Sequence, residues 1–366
     1  LLSALSWYYA SKLKADFSEG LLVTDTKYSP QTAPATMADI ARHVGVSKVA
    51  VSAVLSATAG NHTRVAETTR QRILEAAREL NYAPNGIAKM FRRRSTDIVG
   101  LYLGDWYLNT HDLFLAEIVS GLQIGCQEHR KDLLLHSTFR GRSVDDIYLE
   151  LTSRKIDGLI LFTQPDDPLA ARLATSSMPV VAITDAVPIL PSVVADDRSG
   201  SRQIADYLAV QGHARVLYRR GRSFQTSANR RYEAFAEAAG QLGITVFEDP
   251  KRLTEFNFVL SASEQEFLRE NGPNRPTAIV CGNDLLAYAA FEYCQDHGLR
   301  VPEDFAIVGF DGIVPQVRPA ARLTTVRAPW SEIAREALGL VIRRLAGESL
   351  PEETILPVQL ILGDTA

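Results

Sequence analysis

Asp39-Ile40-Ala41-Arg42-His43-Val44-Gly45-Val46-Ser47-Lys48-Val49-Ala50-Val51-Ser52-Ala53-Val54-Leu55 is the stretch on which the fold turns. Ile40, Ala41 and Val44 recur at helical spacing and form one apolar face. Just upstream, Thr36 and Asp39 have the spacing of a capping box, in which hydroxyl and carboxylate close the first turn. Gly45 breaks that helix because it can take positive φ, and Ser47 can cap the next one. Val51, Val54 and Leu55 give the second helix its apolar face. A third helix is expected over residues 67–81, with Ile73, Ala76, Ala77 and Leu80 inward. Three short helices around a tight glycine turn predict a helix-turn-helix.

Charge supports that reading. Residues 36–95 hold ten Lys/Arg and four Asp/Glu, a net +6 in a chain of net −4, which leaves −10 elsewhere. A basic head on an acidic body suits a small domain that meets phosphate. A helix beginning after Ser47 presents Lys48, Val49 and Ala53 to base edges in a major groove. Lys48 can donate to guanine O6 or N7, and Val49 can pack on a thymine methyl. Ser47, Ser52, Arg64 and Arg70 are expected at phosphates, which position without specifying. An ordinary solvated lysine is the alternative for Lys48.

Residues 1–35 contain no methionine, and their end is rich in Ser, Thr and Pro. They are expected to be a disordered or artefactual extension, dispensable for folding and DNA binding, with translation starting at Met37. No basic region precedes the opening apolar residues, so a signal peptide is not expected. The expected organisation is a DNA-binding domain over residues 36–83, a hinge helix and linker over 84–96, and a body over 97–366.

Beyond Thr96 the rhythm changes. Apolar runs at 98–103, 133–135, 159–162, 180–183, 216–218, 278–281 and 306–310 alternate with amphipathic stretches. These stretches cover 114–130, 145–154, 198–211, 230–242, 263–270 and 285–297. Buried strands alternating with helices predict an α/β body of two doubly wound parallel-sheet lobes, in series over about 97–195 and 196–323. With 366 residues and 46% apolar content, a large core is available. No apolar run approaches the roughly 18 residues of a membrane span, so no membrane partner is expected. Cys126, Cys281 and Cys294 are scattered and lack zinc spacing. They are expected as buried free thiols in a reducing cytoplasm, with no metal and no cofactor.

The skeleton from Asp39 to Leu55 closely resembles the head of the LacI/GalR repressor family, and Asn81-Tyr82 with Pro84-Asn85 matches that family's junction into a hinge helix. The resemblance runs on through Asp157-Gly158-Leu159-Ile160, Asp196-Asp197, Gly212-His213, Asn283-Asp284, Val308-Gly309-Phe310-Asp311 and Leu323-Thr324-Thr325-Val326. It implies a homodimeric, ligand-controlled repressor that reads a near-palindromic operator. It also implies a body like periplasmic sugar-binding proteins, with a small polar ligand, a sugar or derivative, between the lobes. Carried over by position, ligand contacts fall on Asp105, Trp106, Arg231, Asn283, Asp311 and Trp330. Asp284 is equally a helix cap, and Trp330 equally a packing residue.

Three departures stand out. The segment 56–65 is slightly long. Ala66 stands where a Ser or Thr cap is common, so the third helix begins less firmly. In the hinge, Ala88-Lys89-Met90-Phe91 replaces an Ala-Arg-Ser-Leu pattern. The resemblance then implies DNA contacts from Asn85, Ala88 and Lys89, with Phe91 as the minor-groove wedge unless it packs on the body. A transport solute-binding protein would account for the body but not the head. An enzyme lacks support, since no GxSxG, HExxH, P-loop or GxGxxG motif is present.

Overall fold

The structure is a computed structural model that describes residues 34–55, 65–84, 90, 93, 95–104, 113–136, 139, 141–221, 225–249, 258–269, 272, 274–313 and 321–366. It divides into two compact units, Leu1–Lys89 and Met90–Ala366.

In the first unit, α1 (Met37–Val44), α2 (Lys48–Leu55) and α3 (Glu67–Glu79) surround one small core. Ile40, Val44, Val51, Val54, Ile73 and Ala76 are buried there, with Ala77, Leu80 and Tyr82 packed around them. The expected capping box is present. Thr36 Oγ1 accepts from the Asp39 N–H at 3.3 Å, and the Asp39 carboxylate accepts from the Thr36 N–H at 2.9 Å. Gly45 ends α1 at φ 71°, a conformation that favours glycine. Ala66 precedes α3 without any side-chain cap bond.

The second unit holds two six-stranded sheets. The first contains β1 (Ile98–Tyr102), β2 (Asp132–Leu135), β3 (Gly158–Leu161), β4 (Val180–Ile183), β5 (Ser192–Ala195) and β11 (Glu353–Leu356), in the order β11-β5-β4-β3-β1-β2. The second contains β6 (Arg215–Arg219), β7 (Thr245–Phe247), β8 (Ala278–Cys281), β9 (Ala306–Asp311), β10 (Thr324–Arg327) and β12 (Gln359–Ile361), in the order β12-β10-β9-β8-β6-β7. Every pairing is parallel except β10 with β12, so the second sheet carries an antiparallel edge strand.

Helices cover both faces of each sheet. On the first, α4 (Leu113–His129) and α11 (Trp330–Leu345) share a core with Val99, Leu101, Ile160 and Val181. The opposite face is covered by α5 (Val144–Leu151) and α6 (Pro168–Ala174). On the second, α7 (Asp197–Val210) and α8 (Thr226–Gln241) cover one face, and α9 (Ala262–Arg269) and α10 (Asp284–Asp296) the other. α4 and α11 approach closely at Gly121, where a Cβ would stand 2.1 Å from the Ser331 carbonyl oxygen. Cys126, Cys281 and Cys294 are buried and free, as expected.

The simple serial arrangement of lobes needs correction. The chain crosses between the sheets after Ala195, returns after Arg327 to build α11 and β11, and crosses again after Leu356 to reach β12. The expected lobe bounds ended at residue 323, whereas α11, which joins α4 on one face of the first sheet, lies beyond them. Among the described residues, no helix is long and apolar enough to cross a membrane.

Candidate DNA-reading helix and interlobe ligand site

α2 is held by its buried side and displays the other. Ser47 Oγ accepts from the Ala50 N–H at 3.2 Å, so this residue caps the helix. Val51 and Val54 face the core. Lys48 is exposed, Val49 is 61% exposed, and Ser52 and Ala53 are half-buried. Exposing an apolar side chain that far on the first turn leaves it available for contact with another surface. Arg70 is exposed on α3. Arg72, not singled out from the sequence, donates to the Val44 carbonyl at 2.8 Å and satisfies an orphan acceptor at the end of α1. Its signal was only its position on α3, one turn after Thr68 and Thr69. Arg64, Asn85, Ala88, Lys89 and Phe91 lie outside the described residues, as does the long segment after α2.

In the body, the polar residues gather where strands of the second sheet end. Arg231, on the second turn of α8, is only 6% exposed. Its Nε donates to Asp197 at 2.7 Å, and its terminal nitrogen donates to Asp311 at 3.0 Å and to the Gly282 carbonyl at 2.8 Å. The guanidinium lies 3.8 Å from the centre of the Phe310 ring. Burial works against its charge, but the Asp197 and Asp311 carboxylates outweigh burial and raise its pKa. Arg231, expected as a ligand contact, is thus enclosed by two carboxylates from distant parts of the chain. Asp311 ends β9 with φ 118°, unusual for a residue with a side chain.

Asn283 and Asp284 divide the roles left open between them. Asn283 caps α10, its side-chain oxygen accepting from the Leu286 N–H at 2.9 Å. Asp284 is buried, accepting from the Ile313 N–H at 2.7 Å and from the Thr325 hydroxyl. Burial, with Asp311 nearby, pushes its carboxyl well above the usual range. Trp330 starts α11 and is 1% exposed. Its indole N–H donates to the Asp311 carbonyl at 3.1 Å, and its ring meets Phe114 edge-on at 4.8 Å. Asp105 and Trp106 lie outside the described residues.

Three further contacts join the two lobes. Asp185, just after β4, accepts from the Thr226 and Ser227 N–H groups at 3.0 and 2.8 Å, at the start of α8. Burial pushes its carboxyl up to about 6, against those two hydrogen bonds. Arg327 grips Glu117 of α4 with two bonds of 2.9 and 2.8 Å. Arg230 of α8 pairs with Glu353 of β11 in the same forked manner. Asp185 and Asp197 were absent from the sequence-derived site. Their signal was placement, an acidic residue just beyond an apolar run, where α/β sheets collect ligand groups.

Residues 36–85 match the family model "Bacterial regulatory proteins, lacI family", and residues 205–366 match the "Periplasmic binding protein-like domain". The HTH-type transcriptional regulator DegA of Bacillus subtilis (strain 168) is 28% identical over 340 residues, spanning 89% of this chain and 96% of that protein. The solved complex of the transcriptional regulator CelR with cellobiose is 25% identical, covers 91% of this chain and all of that one, and superposes with a TM-score of 0.63. The Lac repressor dimer bound to operator and the anti-inducer ONPF shares the fold, at 22% identity, coverage of 91% and 99%, and a TM-score of 0.72. The chain is a LacI-family transcriptional regulator: a helix-turn-helix head joined to a periplasmic-binding-protein-like body. Its homologues are DNA-binding regulators, not enzymes.

Proposed function

We propose that this regulator is a homodimeric repressor. Its two heads read a near-palindromic operator, and a small polar ligand, a sugar or derivative, bound between the lobes controls its affinity. The observation that carries the reading is the first turn of α2, where Lys48 and Val49 are exposed on a helix anchored by Val51 and Val54. Lys48, Val49 and Ala53 contact base edges, and Ser47, Ser52, Arg64 and Arg70 contact phosphates. Asn85, Ala88, Lys89 and Phe91 extend the contact into the hinge, with Phe91 wedging a minor-groove step.

For the ligand, Arg231 and Asp311 supply charged donors and acceptors, Asn283 an amide, and Trp330 the aromatic end of the ring of groups, with Asp105 and Trp106 completing it. Such a set suits a polyhydroxylated molecule. The cellobiose held by CelR supports a carbohydrate class. Ligand that touches both lobes biases their relative angle, and the first lobe carries the linker into the head.

Enrichment of bound duplexes from random DNA, followed by a thermal-shift screen of sugars, sugar acids and nucleosides, tests the reading. A symmetric enriched site and stabilisation by a sugar that also changes duplex affinity are the expected results. An unenriched DNA pool would overturn the head's assignment, and stabilisation by nucleosides alone would overturn the sugar.

A further inference from the structure

The N-terminal edge of the first sheet holds a cluster that the ligand and DNA contacts leave unused. Ser95, Thr96 and Asp97 precede β1, Lys131 precedes β2, and Asp157 precedes β3. β1 lies between β2 and β3, so these three chain segments meet at adjacent strand starts. Asp157, with its side chain 9% exposed, accepts from Ser95 Oγ at 2.6 Å, the Thr96 N–H at 2.7 Å, Thr96 Oγ1 at 2.9 Å and the Asp97 N–H at 2.9 Å. Lys131 Nζ stands 3.3 Å from the same carboxylate and 2.9 Å from that of Asp97. One largely enclosed carboxylate thus takes hydrogen bonds from three successive residues where the linker enters the body.

Those residues have no apolar side chain to bury and lie ahead of the first strand. Asp97 is bent to φ 59°, a conformation that surrounding contacts must sustain. The Arg93 guanidinium reaches Asp97 at 3.6 Å, carrying the network one turn further toward the hinge. Burial disfavours the Asp157 charge, but the Ser95, Thr96 and Asp97 donors more than offset it and hold its carboxyl below the ordinary range. The carboxylate is therefore matched to its donors as an anion.

We propose that Asp157 is a positioning residue for DNA recognition: it clamps residues 95–97 to the first lobe, so that the exit direction of the linker, and with it the separation of two heads in a dimer, is set by the body. The inference rests on the dimeric operator-binding reading and deepens it. A rigid exit confines two heads to one half-site spacing, because tethered modules lose affinity when their geometry forbids simultaneous contact. A loosened exit tolerates several spacings.

The test uses the full chain and duplexes derived from its own enriched site, with the centre lengthened or shortened by one base pair. The ratio of affinities between original and altered spacing is measured by fluorescence anisotropy for wild type and Asp157→Asn. Wild type is expected to lose affinity steeply on the altered duplexes, and Asp157→Asn to reduce that penalty severalfold. A loss of folded protein scales every duplex equally and leaves the ratio unmoved, which separates positioning from stability. Thr96→Val removes a single hydroxyl donor and reads the same ratio if Asp157→Asn does not fold. An unchanged ratio in the folded variant overturns the clamp. A wild-type protein indifferent to spacing overturns the dimeric reading beneath it.

Discussion

Lys48 and Val49 stand in solvent on α2, whereas Arg231 lies among two carboxylates, a carbonyl and an aromatic ring. The two regions make opposite use of their polar groups. The head keeps Lys48 and Val49 out of its core, which is packed from Ile40, Val44, Val51, Val54, Ile73 and Ala76. The body builds Arg231, Asp311 and Trp330 into its own framework, where they tie distant segments together. Substitution in the head should change binding with little change in stability. Substitution in the body should change both.

The largest effect is expected from Arg231→Ala. Removing one partner of a buried pair leaves the Asp197 and Asp311 carboxylates uncompensated, which costs about 3–5 kcal/mol of folding stability. Urea unfolding of the full chain measures it, and a midpoint equal to wild type would erase the contrast between body and head. In that variant the ligand response is also expected to vanish, read by calorimetry at a temperature where it is folded.

Asp185 sharpens the contrast through pH. Its carboxyl titrates near 6 in the folded chain against 3.8 for an ordinary aspartate. The folded state therefore holds this proton more tightly than the unfolded one. Its contribution favours folding at low pH and is lost as pH rises from about 4 through about 6. Relative to Asp185→Asn, wild type should lose about 3 kcal/mol across that window, since each pKa unit corresponds to about 1.4 kcal/mol. Parallel unfolding curves for the two proteins at all pH values would remove Asp185 from the buried junction between lobes.

Lys48→Ala should cost about 1–3 kcal/mol at one operator position and leave thermal stability unchanged. Equal weakening on every duplex would reassign Lys48 to phosphate. The smallest effect is expected from Thr36→Ala, which removes the capping box of α1 and costs about 1 kcal/mol. Thermal melting of the head should shift by a few degrees, and no shift would mean that Asp39 and Gly45 hold α1 without it.

β1, β3, β4, β6, β8 and β9 were legible because a strand buried on both faces must be continuously apolar, whereas β5, equally buried, and the edge strand β7 were not singled out. β4 and β8 coincide with the runs expected at 180–183 and 278–281, and both are buried throughout. β11 and β12 were not legible. They are edge strands, with Ile355 55% exposed and Ile361 43% exposed, and edges need no unbroken apolar run. α11 carried a readable pattern in Trp330, Ile333, Ala334, Ala337, Leu338 and Val341, but it follows a crossover and belongs to the lobe left behind at Ala195. Arg231 was recognisable as a residue worth naming, while its enclosure was not.

The reason lies in sequence distance. The capping box, the Gly45 turn and the Ser47 cap each act within about a helical turn, so the local order of residues sets where α1 begins and ends and where α2 begins. Arg231 meets Asp197 across 34 positions and Asp311 across 80, Asp185 meets α8 across 41, and Arg327 meets Glu117 across 210. Local periodicity carries no record of such pairs. Only the parallel sheets, by delivering strand ends and helix starts from separate segments to one place, decided which charges face one another and which are buried.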